Sequence, residues 1–531
     1  VKPTKQPTQT LLRGLLVISA LSLSFSHAPA APAAEKSRDE ATVKSEHGMI
    51  GLGGEKVANR TKHPDAQWYP DAGMGLFLHW SICSVRATNI SWPMIPGRAL
   101  GANRIDDEKE RARIIKEADW NLNGKPPEIT PIEYWSQAKD FNPQNYDPDK
   151  WCKAAKEAGF TYVVLTARHH DGFAMWPSKF GEFNTTKYMG GKDLIKPYVE
   201  ACRNNGLKVG IYYSPPDWHF DQEYMSFLYH GARKKNPELP NLGPDLKPRE
   251  LKHSKEATAR HEEAFARHIK GQIEELLTNY GKIDLLWFDG RPAIPDGEKV
   301  ITIERIRELQ PGIVVNPRLH RTGDYITFER KLTTDKVQDG WAEFCNTWAN
   351  NWSYVDQPMR HNGFVLGQLV QSRSQAINYL LGIGPTNTGE LSPQAYENMK
   401  VLAGWMKKNG ASIRGTKPLP SGETASVPAT AKGATRYLFA IPQFKEGGSF
   451  AKDYLPPHDT TLTLSGISAK PAAVRLLGDA AALEFAFADN AITVKLPASK
   501  RTNLVDVVHV ELSNEAQPAA SAAEAASNLN R

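Results

Sequence analysis

The feature that most limits what this chain can become is a repeated pairing of short apolar runs with helical patterns, each run ending in polar or aromatic residues. IDLLWFDG (283–290) is the sharpest case. Ile283, Leu285, Leu286, Trp287 and Phe288 read as a strand buried on both faces, and the run stops at Asp289. GLFLHW (75–80), YVVLTARHH (162–170), KVGIYYS (208–214) and IVVNPR (313–318) read the same way. Between them lie helical patterns such as PDKWCKAAKEAG (148–159) and FARHIKGQIEELLTNYG (265–281), each closing on the glycine a helix C-cap favours. Strand, helix, strand in repetition means parallel β/α units. A doubly wound open sheet would need a Gly-rich turn after its first strand, which is missing. A (β/α)8-like, TIM-type barrel fits better, because the readable strands end in His79, His169, His170, Tyr213, Asp289 and Arg318, and barrel enzymes build their sites at those ends. Five or six strands are readable rather than eight, so closure is inferred and an irregular barrel is allowed.

The chain has 531 residues, enough for a second unit. A basic stretch, the apolar run GLLVISALSLSF and a string of small residues predict a signal peptide over 1–34, cleaved near Ala30 to Ala34. Its apolar core is shorter than the ~20 residues a spanning helix needs, so the expectation is export to a periplasm or beyond, with no membrane partner after cleavage. A polar linker follows over 35–60, then the catalytic barrel over 61–415. Short alternating segments with turn residues such as Asp489 and Asn490 predict an antiparallel β-sandwich over 416–512, and 513–531 reads as a disordered Ala-rich tail. The insertion at 103–130 reads as a solvated loop. The one at 219–262 carries Trp218, Phe220, Tyr224, Phe227 and Tyr229 on or beside it, a cluster suited equally to stacking on a sugar or to packing under the loop. A net charge of +6 without a basic stripe argues against nucleic acid. Cys83, Cys152, Cys202 and Cys345 lack metal-like spacing and read as buried fillers, with one disulfide pair left open.

Asp289 at a strand end suits retaining glycoside hydrolysis, which needs two carboxyls about 5–5.5 Å apart. Asp289 is the natural nucleophile; Glu329 in GDYITFER and Glu343 in WAEFCNTW are the candidate acid/base residues. Neutral histidines can donate to one sugar hydroxyl and accept from another, and Trp80, Trp176 and Trp218 offer apolar faces. A metal-dependent hydrolase built on RHHDG (168–172) and Asp289 is a second reading. It is weakened because neighbours on a strand point to opposite faces, so His169 and His170 would not both chelate unless the strand had already ended. A binding protein that keeps the pocket without the reaction is a third.

GLFLHWSICSV, FNPQNYDPDKWCKAAKEAGFTYVVLTARHHDGFAMWPSKF, GLKVGIYYSPPDWH, LLWFDG, GDYITFE and NYLLGIGPTNTGELSP, in this order, resemble the α-L-fucosidases of glycoside hydrolase family 29 over most of residues 60–510. The resemblance implies a retaining exo-hydrolase acting on fucosylated oligosaccharides or glycoconjugates, without metal or organic cofactor, and leaves a homo-oligomer open. It implies Asp289 as nucleophile and Glu329 as acid/base, with Glu343 second. His79, Trp80, His169, His170, Tyr213 and Trp218 would be sugar contacts, with Trp287 beside the nucleophile. Arg318 would support the carboxylates or the leaving-group side. Departures from the family pattern occur at Ser81, Arg168 and Leu319-His320. They leave open an inactive or glycan-restricted carbohydrate-binding homologue, or a hydrolase of a fucose-like sugar, since one methyl discriminates by only ~1–3 kcal/mol.

Overall fold

The computed structural model describes residues 47, 49–50, 56–57, 60–120, 129–333, 337, 339–468 and 470–513. The expected signal peptide, most of the linker and the tail beyond 513 lie outside the described residues.

Eight parallel strands form one curled sheet. They are β1 (Met74–Leu78), β2 (Tyr162–Arg168), β3 (Lys208–Tyr213), β4 (Leu285–Phe288), β5 (Val314–Val315), β6 (Ile326–Glu329), β7 (Ala342–Thr347) and β8 (Asn378–Ile383), hydrogen-bonded in the order β6-β7-β8-β1-β2-β3-β4-β5. Every residue of β1, β2, β4, β7 and β8 is buried, as a parallel sheet covered on both faces requires. The edge strands β5 and β6 are joined through Asp324, just before β6, by one side-chain and one backbone hydrogen bond. Asp324 Oδ2 accepts from Val315 N at 2.7 Å, and Asp324 N donates to Val315 O at 2.8 Å.

Helices α1 (Pro148–Glu157), α2 (Ile195–Asn204), α3 (Lys255–Thr278), α4 (Ile303–Leu309), α5 (Asn362–Arg373) and α6 (Pro393–Asn409) cover the sheet. Among the described residues none separates β5 from β6 or β6 from β7, so the barrel is irregular there. Sequence dictates α1 clearly. Pro148 opens it, the Asp147 side chain accepts from Lys150 N at 3.2 Å, and Trp151, Cys152 and Ala155 form the buried stripe. Burying Trp151 alone stabilises by roughly 2–3 kcal/mol. Gly159 ends the helix at φ +93°, where a Cβ would also stand 2.7 Å from the Met406 side chain.

Two expectations change. The insertion at 103–130 is not wholly a loop, because Glu108–Glu117 is a helix capped by the Asp107 side chain. Its only fully buried residue is Ile114, so the apolar period that marks a helix is almost absent. Helix α3 starts ten residues before the pattern that announced it, capped by Ser254, because its first turns are polar. The 219–262 aromatics take the packing role: Tyr224 stacks between His253 and His261 at 4.0 and 3.7 Å, and Phe220 stacks on Phe265 at 5.0 Å.

Beyond α6 two antiparallel sheets face each other. One contains β9 (Lys417–Pro418), β11 (Ala429–Lys432), β12 (Thr435–Ala440), β17 (Asp506–Leu512) and β14 (Pro471–Leu476). The other contains β10 (Thr424–Ala425), β13 (Thr460–Ser465), β16 (Ala491–Leu496) and β15 (Phe485–Ala488). The β15–β16 turn is Asp489–Asn490, with φ of 51° and 58°, the left-handed pair that suits the twist of a tight hairpin. Leu438, Leu462, Val494 and Val508 fill the space between the sheets, while Tyr437, Phe439 and Val507 turn the other way into the barrel's core. All four cysteines are buried thiols, with Cys152 and Cys202 Sγ atoms 3.6 Å apart. No helix among the described residues is long and apolar enough to cross a membrane.

Candidate active site

The C-terminal ends of the strands converge on a pocket of about 330 Å³ lined by His79, His169, Tyr212, Trp287, Asp289, Arg318 and Glu329, with Phe77, Trp92, Trp352, His47 and Ile50 completing its walls. Asp289 follows β4 directly. Asn316, just past β5, fixes that strand end by accepting from Phe288 N at 3.0 Å and donating to Phe288 O at 2.9 Å. Two residues on, the Arg318 guanidinium forks: Nη1 donates to Asp289 Oδ1 at 2.8 Å and Nη2 to Glu329 Oε2 at 2.7 Å. The fork brings the two carboxylates to one planar group and leans over the face of Trp287, 4.4 Å from its centroid. Tyr212 donates to Asp289 Oδ2 at 2.7 Å, and His170 Nε2 lies 3.4 Å from the same oxygen.

Burial alone would raise the pKa of Asp289, but His170 and the Arg318 charge outweigh it and hold the carboxyl well below the usual range. Glu329 is balanced the same way: burial raises it, while Arg318 and His47 pull it well below. The imidazoles go in the neutral direction, His79 pushed down to about 3 and His169 well below its ordinary value, both chiefly by burial. His169 Nδ1 meets Ser91 Oγ at 2.6 Å, and its ring stacks parallel on Tyr212. His79 Nδ1 is buried without a hydrogen-bond partner among the described residues, as an atom awaiting a ligand's hydroxyl would be, while His170 Nε2 has only the long approach to Asp289.

Not every expected residue joins this group. Tyr213 points out of the barrel, its hydroxyl on Gln272 Oε1 at 3.0 Å and its ring under Arg168; strand alternation turns Tyr212 inward in its place. Trp80 also turns outward, donating to Thr386 O and packing on Phe141, Tyr146 and Trp151. Trp218 stands behind the pocket wall, against Trp92 and His170. Glu343 sits at the start of β7, the wrong end of the barrel for the mouth. It is held there by Tyr162 at 2.6 Å, Trp287 at 2.8 Å and Tyr69 at 3.4 Å. The exception allowed for the two histidines applies, since β2 ends at Arg168 before either of them; His169 lines the pocket and His170 reaches Asp289 from beside it. His169, His170 and Asp289 present donor atoms within 4.8 Å of one another. The Arg318 guanidinium already on Asp289 opposes a second cation there. Tyr212, Trp92, Trp352 and His47 were not legible as site residues; only Tyr212 carried a signal, its place beside the named Tyr213.

Comparison with known proteins agrees with this architecture. The family model for α-L-fucosidase matches residues 54–411. Human tissue α-L-fucosidase is 25% identical over 423 residues, 76% of this chain and 81% of that protein. An α-L-fucosidase from Branchiostoma floridae is 26% identical, covering 83% of this chain and 91% of its own. Among solved structures, α-L-fucosidase isoenzyme 1 from Paenibacillus thiaminolyticus superposes with a TM-score of 0.62 at 27% identity, covering 85% of this chain and 99% of that one. A family 29 α-L-fucosidase from Bacteroides thetaiotaomicron, trapped as a covalent intermediate with 2-fluoro-fucosyl fluoride, shares the fold with a TM-score of 0.63 at 20% identity, covering 86% of this chain and 98% of that one. With two thirds of its length matched by the family model and a barrel-plus-sandwich fold in common, the chain belongs to the α-L-fucosidase family, glycoside hydrolase family 29, and is a glycoside hydrolase.

Proposed function

We propose that the protein is an exported, retaining exo-α-L-fucosidase that releases terminal α-L-fucosyl residues from oligosaccharides or glycoconjugates. The observation that carries this is the Arg318 fork: one guanidinium holds Asp289 at 2.8 Å and Glu329 at 2.7 Å, so two carboxylates are tied to one group and line one small pocket, as a retaining pair must. The pocket is small and walled by aromatic rings and Ile50, which suits one terminal sugar better than a chain threaded through.

Asp289 attacks the anomeric carbon while Glu329 gives a proton to the departing oxygen. Water then opens the glycosyl ester as Glu329 takes the proton back. The sign of the coupling favours this order. The Asp289 charge raises the proton affinity of Glu329 before attack; once Asp289 is esterified that charge is gone and Glu329 turns to base. His79 and His169 bind ring hydroxyls as neutral imidazoles, His170 stands beside the nucleophile, and Trp287 and Trp92 flank the apolar side of the sugar. The covalent intermediate of the Bacteroides enzyme supports the double displacement.

The test is release of nitrophenol from aryl α-L-fucoside by the protein and by Asp289→Gly, with aryl α-D- and β-D-galactosides as controls. Hydrolysis of the fucoside alone, falling by at least about three orders of magnitude in the variant, is expected. Near-normal turnover in Asp289→Gly removes Asp289 from the mechanism. Silence on aryl and natural fucosides alike leaves a binding protein.

A further inference from the structure

One wall of the pocket is not made by the barrel. His47 Nε2 lies 3.0 Å from Glu329 Oε2, the same oxygen that receives Arg318 Nη2. Close by in sequence, Met49 Sδ accepts from His230 N at 3.0 Å, in the insertion after β3. Ile50 is only 3% exposed, and its carbonyl accepts from Arg291 N at 3.2 Å, just after the nucleophile strand. Gly290 is shaped to this contact: at φ +87°, a Cβ there would stand 2.4 Å from the Ile50 carbonyl oxygen. Further along, Lys56–Val57 pairs in parallel with Thr322–Gly323, in the loop that leads to β6. The described residues Met49, Ile50 and Lys56–Val57 therefore touch the loops after β3, β4 and β5 respectively. His47, Met49 and Ile50 also lie ahead of residue 54, where the family model's match begins.

We propose that His47, Met49 and Ile50 form a working strap of the active site, in which His47 positions the Glu329 carboxyl, Ile50 closes one side of the pocket and Met49 anchors the strap to the insertion after β3. This rests on reading Glu329 as the acid/base. Two donors on different elements converge on one oxygen and restrain the carboxyl, which a single contact would leave freer to rotate. A carboxyl that must give a proton in one step and take it in the next gains from a fixed plane, because both transfers need hydrogen-bond geometry to a reacting oxygen. The charged and titratable groups facing Glu329 besides His47 are Arg318, Arg330, Asp289, His79, Tyr212 and Cys345. Removal of His47 takes away a donor that favours the ionised form, so Glu329 must keep its proton to higher pH.

The test uses the full chain with His47→Ala and His47→Gln. The substrates are phenyl α-L-fucoside, whose leaving group needs a proton, and 2,4-dinitrophenyl α-L-fucoside, whose leaving group does not. In His47→Ala, kcat/KM on the phenyl substrate should fall about tenfold or more, with less than about threefold loss on the dinitrophenyl one. The alkaline limb of the phenyl pH profile should move to higher pH, and the Gln amide, which still donates, should recover most of the rate. Equal loss on both substrates, or loss on neither, overturns the positioning role. The docking is read without turnover, by hydrogen–deuterium exchange of the peptide carrying Arg291, whose N–H is held by Ile50. Exchange faster by about fivefold or more in His47→Ala supports the strap, and unchanged exchange overturns it. If the unaltered protein turns over no α-L-fucoside, the fucosidase reading fails, and the exchange result alone decides on the strap.

Discussion

Two buried glutamates, Glu329 and Glu343, are driven in opposite directions by what surrounds them. Glu329 is held ionised by Arg318 and His47, whereas Glu343 meets neutral donors only and burial pushes it up to about 7. Two predictions follow from the signs. For Glu329, the protonated share needed in the first step grows as pH falls. We therefore expect kcat/KM on a phenyl fucoside to rise from neutral toward acid pH, and the dinitrophenyl substrate to stay flatter; a phenyl profile that instead rises with pH assigns the acid role elsewhere. Glu343 titrates near 4.5 when unfolded, so its contribution to stability is complete below that value and is lost as pH rises through about 7. The gap corresponds to roughly 3 kcal/mol. Glu343→Gln keeps the shape without the charge. It should lose less stability than the parent between pH 5 and pH 8 in urea unfolding, and identical slopes would show that Glu343 stays neutral throughout. Tyr212→Phe removes one hydrogen bond to the charged nucleophile and should cost about 10- to 100-fold in kcat on the aryl fucoside. Asp289 and Arg318 were legible because each ends an apolar run. Glu343 misled because it sits within six residues that all bury, so nothing in the run says which end of the strand it occupies.

At the scale of elements, the weakest join in the barrel is the seam between β5 and β6, and the reacting groups sit on it. No backbone ladder crosses there; Asp324 takes its place, accepting from Val315 N at 2.7 Å, Thr61 N at 2.6 Å and Arg307 Nη2 at 2.9 Å. Further along the same seam, Arg318 from the β5 side holds Glu329 at the end of β6. Asp324→Ala should therefore cost about 2–4 kcal/mol in urea unfolding, since it leaves the Val315 and Thr61 N–H groups without their acceptor. It should also lower kcat, because the Arg318–Glu329 contact depends on the two strands staying in register. A stable variant with lost activity would mean the seam positions without stabilising. The seam explains why strands β1 to β5 could be read and β6 to β8 could not. The first five are apolar runs ending in a polar residue. Strand β6 is four partly exposed residues, β7 interrupts its run with Glu343 and Asn346, and β8 opens on Asn378. Period and composition locate strands with one continuous environment; they lose those whose polar residues are buried by partners far away in sequence.

For the molecule as a whole, the question is whether the sandwich is an appendage or part of one folding unit. Strand β12 alternates Leu438 into the sandwich core with Tyr437 and Phe439 into the barrel's, so both its faces are buried. Helix α6 adds a direct tie, Trp405 Nε1 donating to Val505 O at 2.7 Å. A sheet with apolar groups on both faces cannot be detached without exposing one of them, which argues for a single cooperative transition. The chain supplies a convenient probe. All thirteen tryptophans, Trp68 through Trp405, precede the sandwich, so tryptophan fluorescence reports the barrel, with Trp405 alone at its junction with the sandwich. Phe439→Ala, made in the sandwich, should remove about 3–5 kcal/mol and shift the fluorescence midpoint together with the midpoint of the circular dichroism signal, which both units share. A fluorescence midpoint that stays in place while the circular dichroism splits into two steps would show the sandwich unfolding alone. If the midpoints move together, the shared face of β12 is what makes the barrel and the sandwich one cooperative unit.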